Sequence, residues 1–326
     1  MPATTAPIMY LRILATKTLL TFFDVAKIMV PVMALVHVAR EFGVAGVLGG
    51  WLAPLMQWIG LPGEAGIVWA IALLSGIYGG LGALIALMQA GGEGGQAVTL
   101  TALQFNSLVS MILFAHAIPV EQAIVRRAGA SFALTTLARV FCAIAFAALM
   151  HAVGTMTGWL SEPASLGLLS ISEPTSGWIG WMLNTLKTMI LMLVILFALL
   201  ALVDWMKHVG LFDWLTRKMT PFFMALGIVP ALAQLTTIGM LLGLTYGGGL
   251  LLNETRNSEF SRKDLFAPLV GLSIFHAVFE DTIVMLAMGA DVAVMLIWRP
   301  LFALVVLAAI AFLLRHLAAK KVAPTA

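Results

Sequence analysis

Charge is what this chain has least of. Charged side chains make up only 10% of its 326 residues and hydrophobic ones 61%, against about 25% and 45–50% in a soluble globular domain. A soluble fold is excluded. No Asp, Glu, Lys or Arg occurs between Glu64 and Glu93, between Glu93 and Glu121, or between Lys218 and Glu254, and each gap exceeds the roughly 20 apolar residues that cross a bilayer. The sequence therefore reads as an all-α polytopic membrane protein whose first partner is the lipid bilayer. Its 18 basic residues against 15 acidic ones leave a net charge of only +3, too small and dispersed for a nucleic-acid partner. The single cysteine, Cys142, excludes an intrachain disulfide and a thiolate metal cluster, and its apolar neighbours make it a buried thiol. Gly92-Glu93-Gly94-Gly95 lacks the Lys-Ser or Lys-Thr of a phosphate loop. With neither a soluble domain nor a nucleophile–base pair, no enzyme activity and no organic cofactor is expected, and the only ion foreseen as a helper is a coupling Na or H cation.

The first apolar stretch runs from Leu19 past Val38, longer than a signal-peptide core, and is read as a transmembrane helix. The rarer residues then recur in order. Leu35-Val36, Gly43, Pro54 and Gly60 align at one offset with Leu202-Val203, Gly210, Pro221 and Gly227. Tyr78-Gly79-Gly80 matches Tyr246-Gly247-Gly248; His116-Ala117, Gly129-Ala130 and Arg139 match His276-Ala277, Gly289-Ala290 and Arg299, with Glu121 opposite Asp281. Leu matched with Leu means little in so apolar a chain, but a matched His, Arg and Tyr-Gly-Gly marks an internal repeat.

Basic residues favour the cytoplasmic face. Arg12 and Lys17 lie near one end, Arg315, Lys320 and Lys321 near the other, and none occurs between Arg139 and Lys187. Both termini are expected in the cytoplasm, beneath a bacterial-type cytoplasmic membrane, with an external linker between the halves. Each half then crosses an odd number of times, which inverts one repeat relative to the other. Arg256, Arg262 and Lys263 occupy a loop whose first-half counterpart, 90–97, has no basic residue, while Arg126-Arg127 matches a stretch near Leu286-Ala287 without any. Arg40 is the one residue on the unexpected side. The expected organisation is an N-terminal segment 1–15, membrane repeat 16–153, external linker 154–182, inverted repeat 183–316 and tail 317–326.

Each repeat is expected to hold about three spanning helices plus an interfacial helix and a re-entrant hairpin. First spans are placed near 18–39 and 186–205, and amphipathic segments near 44–60 and 211–223, the latter flanked or punctuated by Trp51, Trp58, Trp205 and Trp214. Hairpins follow near 65–90 and 225–252, turning at Gly79-Gly80 and Gly247-Gly248; a full crossing is the alternative. Segments 98–127 and 264–290 carry His116 and His276 near their middles, and Pro119 is expected to break the first of them. Final spans near 129–152 and 291–315 place Arg139 and Arg299 at depth.

An ionisable side chain deep in a membrane helix costs about 2.5 kcal/mol or more and marks a candidate site. The candidates are His116, Glu121, Gln122 and Arg139 in the first half, and His276, Glu280, Asp281, Thr282 and Arg299 in the second, with Asn106 added as a weaker member. Three readings stay open. The first is a substrate site built from unwound backbone and polar side chains. In the second, His116, His276, Glu121, Glu280 and Asp281 ligate a divalent cation, since imidazole with carboxylate suits Zn, Fe or Mn. In the third, Arg139 pairs with Glu121 and Arg299 with Asp281 only to neutralise buried charge, with the arginines as counter-ions or anion contacts. A homo-oligomer is compatible with all three.

Tyr246-Gly247-Gly248-Gly249-Leu250-Leu251-Leu252-Asn253-Glu254, Ser261-Arg262-Lys263-Asp264 and His276-Ala277-Val278-Phe279-Glu280-Asp281-Thr282 together resemble the nucleoside-recognition, or Gate, family of membrane proteins. His116 to Glu121 is a second, weaker copy of the last motif. The wider group includes sporulation-maturation membrane proteins, gate segments of ferrous-iron permeases and concentrative nucleoside transporters, whose inverted repeats with re-entrant hairpins are similar to the layout above. The chain is shorter than those transporters and lacks their sugar- and base-binding motifs. The resemblance implies a secondary transporter or gate-type permease for a polar small molecule such as a nucleoside-like solute; a divalent metal-ion permease and a non-transporting structural subunit are the alternatives.

Overall fold

The computed structural model describes residues 5–88, 98–167, 177–243 and 262–322. Its described residues are almost wholly helical. In chain order they form α1 (Thr5–Glu41), α2 (Val44–Trp58), α3 (Gly63–Ser75), α4 (Ile77–Met88), α5 (Ala102–Phe114), α6 (Ile118–Arg127) and α7 (Phe132–Thr157). After the central linker come α8 (Gly177–His208), α9 (Leu211–Ala225), α10 (Pro230–Leu242), α11 (Arg262–Ile274) and α12 (Glu280–Ala287), then a π-helical turn (Val294–Trp298) leading into α13 (Arg299–Val322). Among the described residues five stretches are long and apolar enough to cross a bilayer: Ile8–Glu41, Ala102–Arg127, Phe132–Thr157, Gly177–His208 and Val294–Leu313. A sixth is counted if α2 and α3, bent by 95°, are one span.

Local chemistry explains many of the boundaries. Thr101 and Gln104 form a reciprocal capping box that starts α5, Ser131 caps α7, and Asp291 accepts from the Val294 amide at 2.9 Å ahead of the last span. The first spans are longer than the apolar runs suggested, because α1 and α8 continue beyond them at both ends. Lys27 bonds Asp24 at 3.1 Å within α1, and Lys17 reaches Asp204 of α8 at 3.5 Å. Arg40, the exception to the charge pattern, donates to the Ala86 carbonyl at 2.8 Å and so caps the C-terminal end of α4.

Two turns differ from their expected form. The α3–α4 break falls at Gly76 (φ +92°, ψ −175°), a backbone region essentially reserved for glycine, and Gly243 (φ +102°, ψ 160°) ends α10 in the same way. Gly79 and Gly80 instead lie inside α4 and are buried; a Cβ on Gly80 would stand 2.6 Å from that of Ala72, so Gly80 lets α4 close on α3. Gly247 and Gly248 lie outside the described residues. Pro119, expected to break its helix, sits at the start of α6, where its missing N–H is harmless. The break comes earlier, at Ala117 (φ +45°), and the second half breaks equally at Ala277 (φ +47°) with no proline nearby.

Further features occur in both halves at corresponding places. Gly43, Gly60 and Gly129 have φ of 70°, 76° and 104°, and Gly210, Gly227 and Gly289 have 71°, 85° and 94°. The Ala117 amide donates to the Ala72 carbonyl at 2.9 Å, while the Val278 amide donates to Met240 at 3.1 Å. The break before α6 is therefore bonded to the end of α3, and the break before α12 to the end of α10.

One apolar core runs through both halves. It joins Met29, Met33, Leu84, Phe105 and Phe146 to Met192, Leu232, Leu269 and Met285. Helix α1 packs along α8, and α11 packs against α6 and α7, so the halves share a seam. Large apolar side chains such as Trp51, Phe42, Ile179 and Phe312 face outward. In water such a surface would drive association; in lipid it is the contact surface. Cys142 is buried in α7.

Candidate functional site

The two breaks place their histidines face to face across the seam. His116 follows the last turn of α5 and His276 the last turn of α11; each ring turns back so that Nδ1 lies against the carbonyl four residues earlier, Ile112 at 2.9 Å and Leu272 at 2.8 Å. Those carbonyls have lost their helical partners at the break, and a carbonyl can only accept, so both Nδ1 atoms carry hydrogen. Both Nε2 atoms then point at one oxygen. Glu121 Oε1, from the first turn of α6, lies 3.0 Å from His116 Nε2 and 3.2 Å from His276 Nε2. The ring centroids are 5.3 Å apart.

Arg139 closes the other side. Its Nη1 pairs with Glu121 Oε2 and its Nε donates to the Phe114 carbonyl at 2.8 Å, which is the exposed end of α5. Nη2 has no hydrogen-bond partner among the described residues. The Arg139 side chain is 0% exposed and that of Glu121 13%, so the cluster is buried with one slightly open edge at the carboxylate.

Polar bonds around the cluster also cross the seam. Gln122 Nε2 donates to Ser273 Oγ of α11 at 2.8 Å, and Thr135 Oγ1 of α7 donates to Gln122 Oε1 at 2.5 Å. Asn106 Oδ1 accepts from the Asp291 amide at 2.8 Å while its Nδ2 donates to the Ala102 carbonyl. Asn106, Gln122 and Glu121 thus tie the first half to the second.

His116, Glu121, Gln122, Arg139 and His276 therefore come together, with Asn106 in the same seam. The second-half set is arranged differently from its counterpart. Arg299 donates to Thr282 Oγ1 at 2.9 Å and lies 5.2 Å above the Phe275 ring, and its hydrogen-bond partners among the described residues do not include Asp281. Asp281 is within electrostatic range of Glu121, Arg139 and Arg299. Glu280 does not share a helix face with His276, because the break at 275–279 separates them; it lines a cavity of about 410 Å³ with Lys207, Phe212 and Asp213. Two members escape sequence reasoning. Ser273 and Thr135 are ordinary small polar residues in apolar runs, and only their spacing, three before His276 and four before Arg139, places them on the faces of those residues.

Known proteins match the chain over long stretches. The chain is 23% identical over 298 residues to the uncharacterized membrane protein YvoD of Bacillus subtilis (strain 168), covering 89% of this chain and 90% of that one. No solved structure matches it. Together with its long apolar helices, the relative makes this an integral membrane protein. Residues 22–162, the half whose motif copy is the weaker, match the Gate family, described as nucleoside recognition, and they carry His116, Glu121, Gln122 and Arg139.

Proposed function

We propose that the protein is a secondary permease for a polar small solute, with its site where the breaks of the two halves meet. In this reading the halves are inverted-topology repeats, both termini face the cytoplasm, and the cluster lies near the midplane of a bacterial cytoplasmic membrane. The observation that supports it most is the position of Glu121: one first-half carboxylate between a histidine of its own half and a histidine of the other. A site shared between two halves changes shape when one half rocks against the other, which is what alternating access needs. Polar groups buried this deep carry a cost that a purely structural seam could avoid with apolar residues. The Gate description, nucleoside recognition, makes nucleoside-like solutes the first to try.

The test is counterflow of labelled nucleosides in proteoliposomes. Wild-type protein should exchange at least one of them faster than empty vesicles. His276→Gln, which retains a similar shape, should reduce exchange at least tenfold. Exchange unchanged by His276→Gln and by Gln122→Ala would place the pathway elsewhere.

A further inference from the structure

The hydrogen-bond arithmetic of the cluster does not close with neutral histidines and an ionised Glu121. Each imidazole spends its proton on a carbonyl through Nδ1, so each Nε2 offers a lone pair. Both lone pairs face Glu121 Oε1, itself an acceptor, at 3.0 and 3.2 Å. Three electron pairs converge with no donor between them. Arg139 is committed to the other oxygen, Oε2, and to the Phe114 carbonyl.

We propose that His116 Nε2, His276 Nε2 and Glu121 Oε1 bind a divalent transition-metal cation of the zinc, cobalt or ferrous class. Two imidazoles with one carboxylate are the donor set such ions take, whereas calcium and magnesium prefer oxygen alone. The spacing fits. Ligand atoms about 2.0–2.2 Å from a common ion, at angles between octahedral and tetrahedral, stand about 2.9–3.5 Å apart, and the two nitrogen-to-oxygen distances fall in that interval. All three donor atoms lie within 4.8 Å of one another.

The surroundings are those of a built site. Each imidazole is oriented by an Nδ1–H bond to a carbonyl, the usual means of directing Nε2 at a metal, and the carboxylate is oriented by Arg139. Neither ring has to lose a proton when the ion enters. Three protein ligands leave coordination positions open, and the slightly exposed edge of Glu121 gives them a way out. Arg139 adds positive charge nearby and weakens the hold on a cation, which suits an ion that is bound and released. The ligands come from α5–α6 on one side and from the end of α11 on the other, so binding draws the two halves together. The role of the ion, as cargo or as co-ion, rests on the permease reading; its binding does not.

The experiment uses cobalt(II) on the purified full chain in detergent, after chelation and desalting. The expected result is one Co(II) per chain with visible d–d absorption, and X-ray absorption showing imidazole scattering from two histidines. His116→Gln and His276→Gln should each weaken binding about 100-fold or more, with thermal unfolding used to confirm that they are folded. Should neither variant fold, the wild-type absorption spectrum decides alone: two imidazoles support the site, none overturns it. No binding at about 0.1 mM Co(II), or binding in both folded variants as tight as in the wild type, also overturns it. Nucleoside exchange by a wild-type protein that takes up no Co(II) when it is offered would sink the metal site and leave the permease standing. Stoichiometric Co(II) binding without any exchange would do the reverse.

Discussion

Removing Arg139 should destabilise the protein far more than removing its counterpart Arg299, although the two occupy matching positions in the two halves. Arg139 is fully buried, pairs with Glu121 and bonds the Phe114 carbonyl. Arg139→Met leaves a buried carboxylate without its cation and a helix-end carbonyl without its donor. Breaking a buried ion pair from one side costs about 3–5 kcal/mol. Arg299 bonds a neutral hydroxyl, that of Thr282, and lies over the Phe275 ring. A hydrogen bond to a charged group is worth about 1.5–3 kcal/mol and its loss is offset by relief of a buried charge, so Arg299→Met should cost about 2 kcal/mol or less. The double variant Glu121→Gln with Arg139→Met should recover part of the loss, because no lone charge remains. A coupling energy of about 2–3 kcal/mol is expected from the cycle, at the upper end of that seen for contacting residues. Reversible unfolding in mixed micelles, by SDS titration, reads all four proteins. Equal losses for the two arginines, or additivity of Glu121→Gln and Arg139→Met within about 0.5 kcal/mol, would refute the assignment of Glu121 as the partner of Arg139.

Other consequences can be checked in the same assay. Gly76→Ala should cost about 1–3 kcal/mol from backbone strain alone, since its Cβ would meet that of Ala117 at an ordinary 3.6 Å; a neutral result contradicts the left-handed break. Conversely, Ala117→Gly and Ala277→Gly relieve left-handed alanines at φ of 45° and 47° and should each stabilise by up to about 1 kcal/mol, where destabilisation by that amount would show that the methyl group matters more than the strain. Ser273→Ala orphans a Gln122 donor across the seam and should cost about 1–2 kcal/mol. A loss under about 0.3 kcal/mol would mean that the bond is not formed in the membrane.

Much of the architecture was legible because it depends on composition and on rare residues. The charge-free runs announced the membrane helices, and the glycines aligned by sequence, at 43 and 210, 60 and 227, and 129 and 289, turn out to share positive φ. The positions of the helix breaks were harder. Gly79-Gly80 looks like a turn, yet Gly76 makes the break, because the φ that a residue must adopt is not written in the density of glycines around it. Pro119 looked like the helix breaker but starts a helix, and the second half breaks at Ala277 unaided. The cluster was least legible. His276 and Glu280 are four apart in sequence and invite pairing on one helix face, but the break at 275–279 turns Glu280 away and presents His276 to Glu121, 155 residues distant in sequence. Spacing encodes contacts along a helix and is silent on contacts between the two halves of the chain.

The central claim is that the meeting point of the two broken helices is open to each side of the membrane in turn. With Cys142 as the only cysteine, Cys142→Ala supplies a background free of thiols, in which Ile118→Cys places one beside the break at the start of α6. Labelling by a membrane-impermeant maleimide, added to one face and then to the other of oriented vesicles, reads access directly. The account predicts labelling from both faces, with the balance between them shifted by a bound solute or by cobalt. Labelling from one face only, whatever ligand is present, would contradict it.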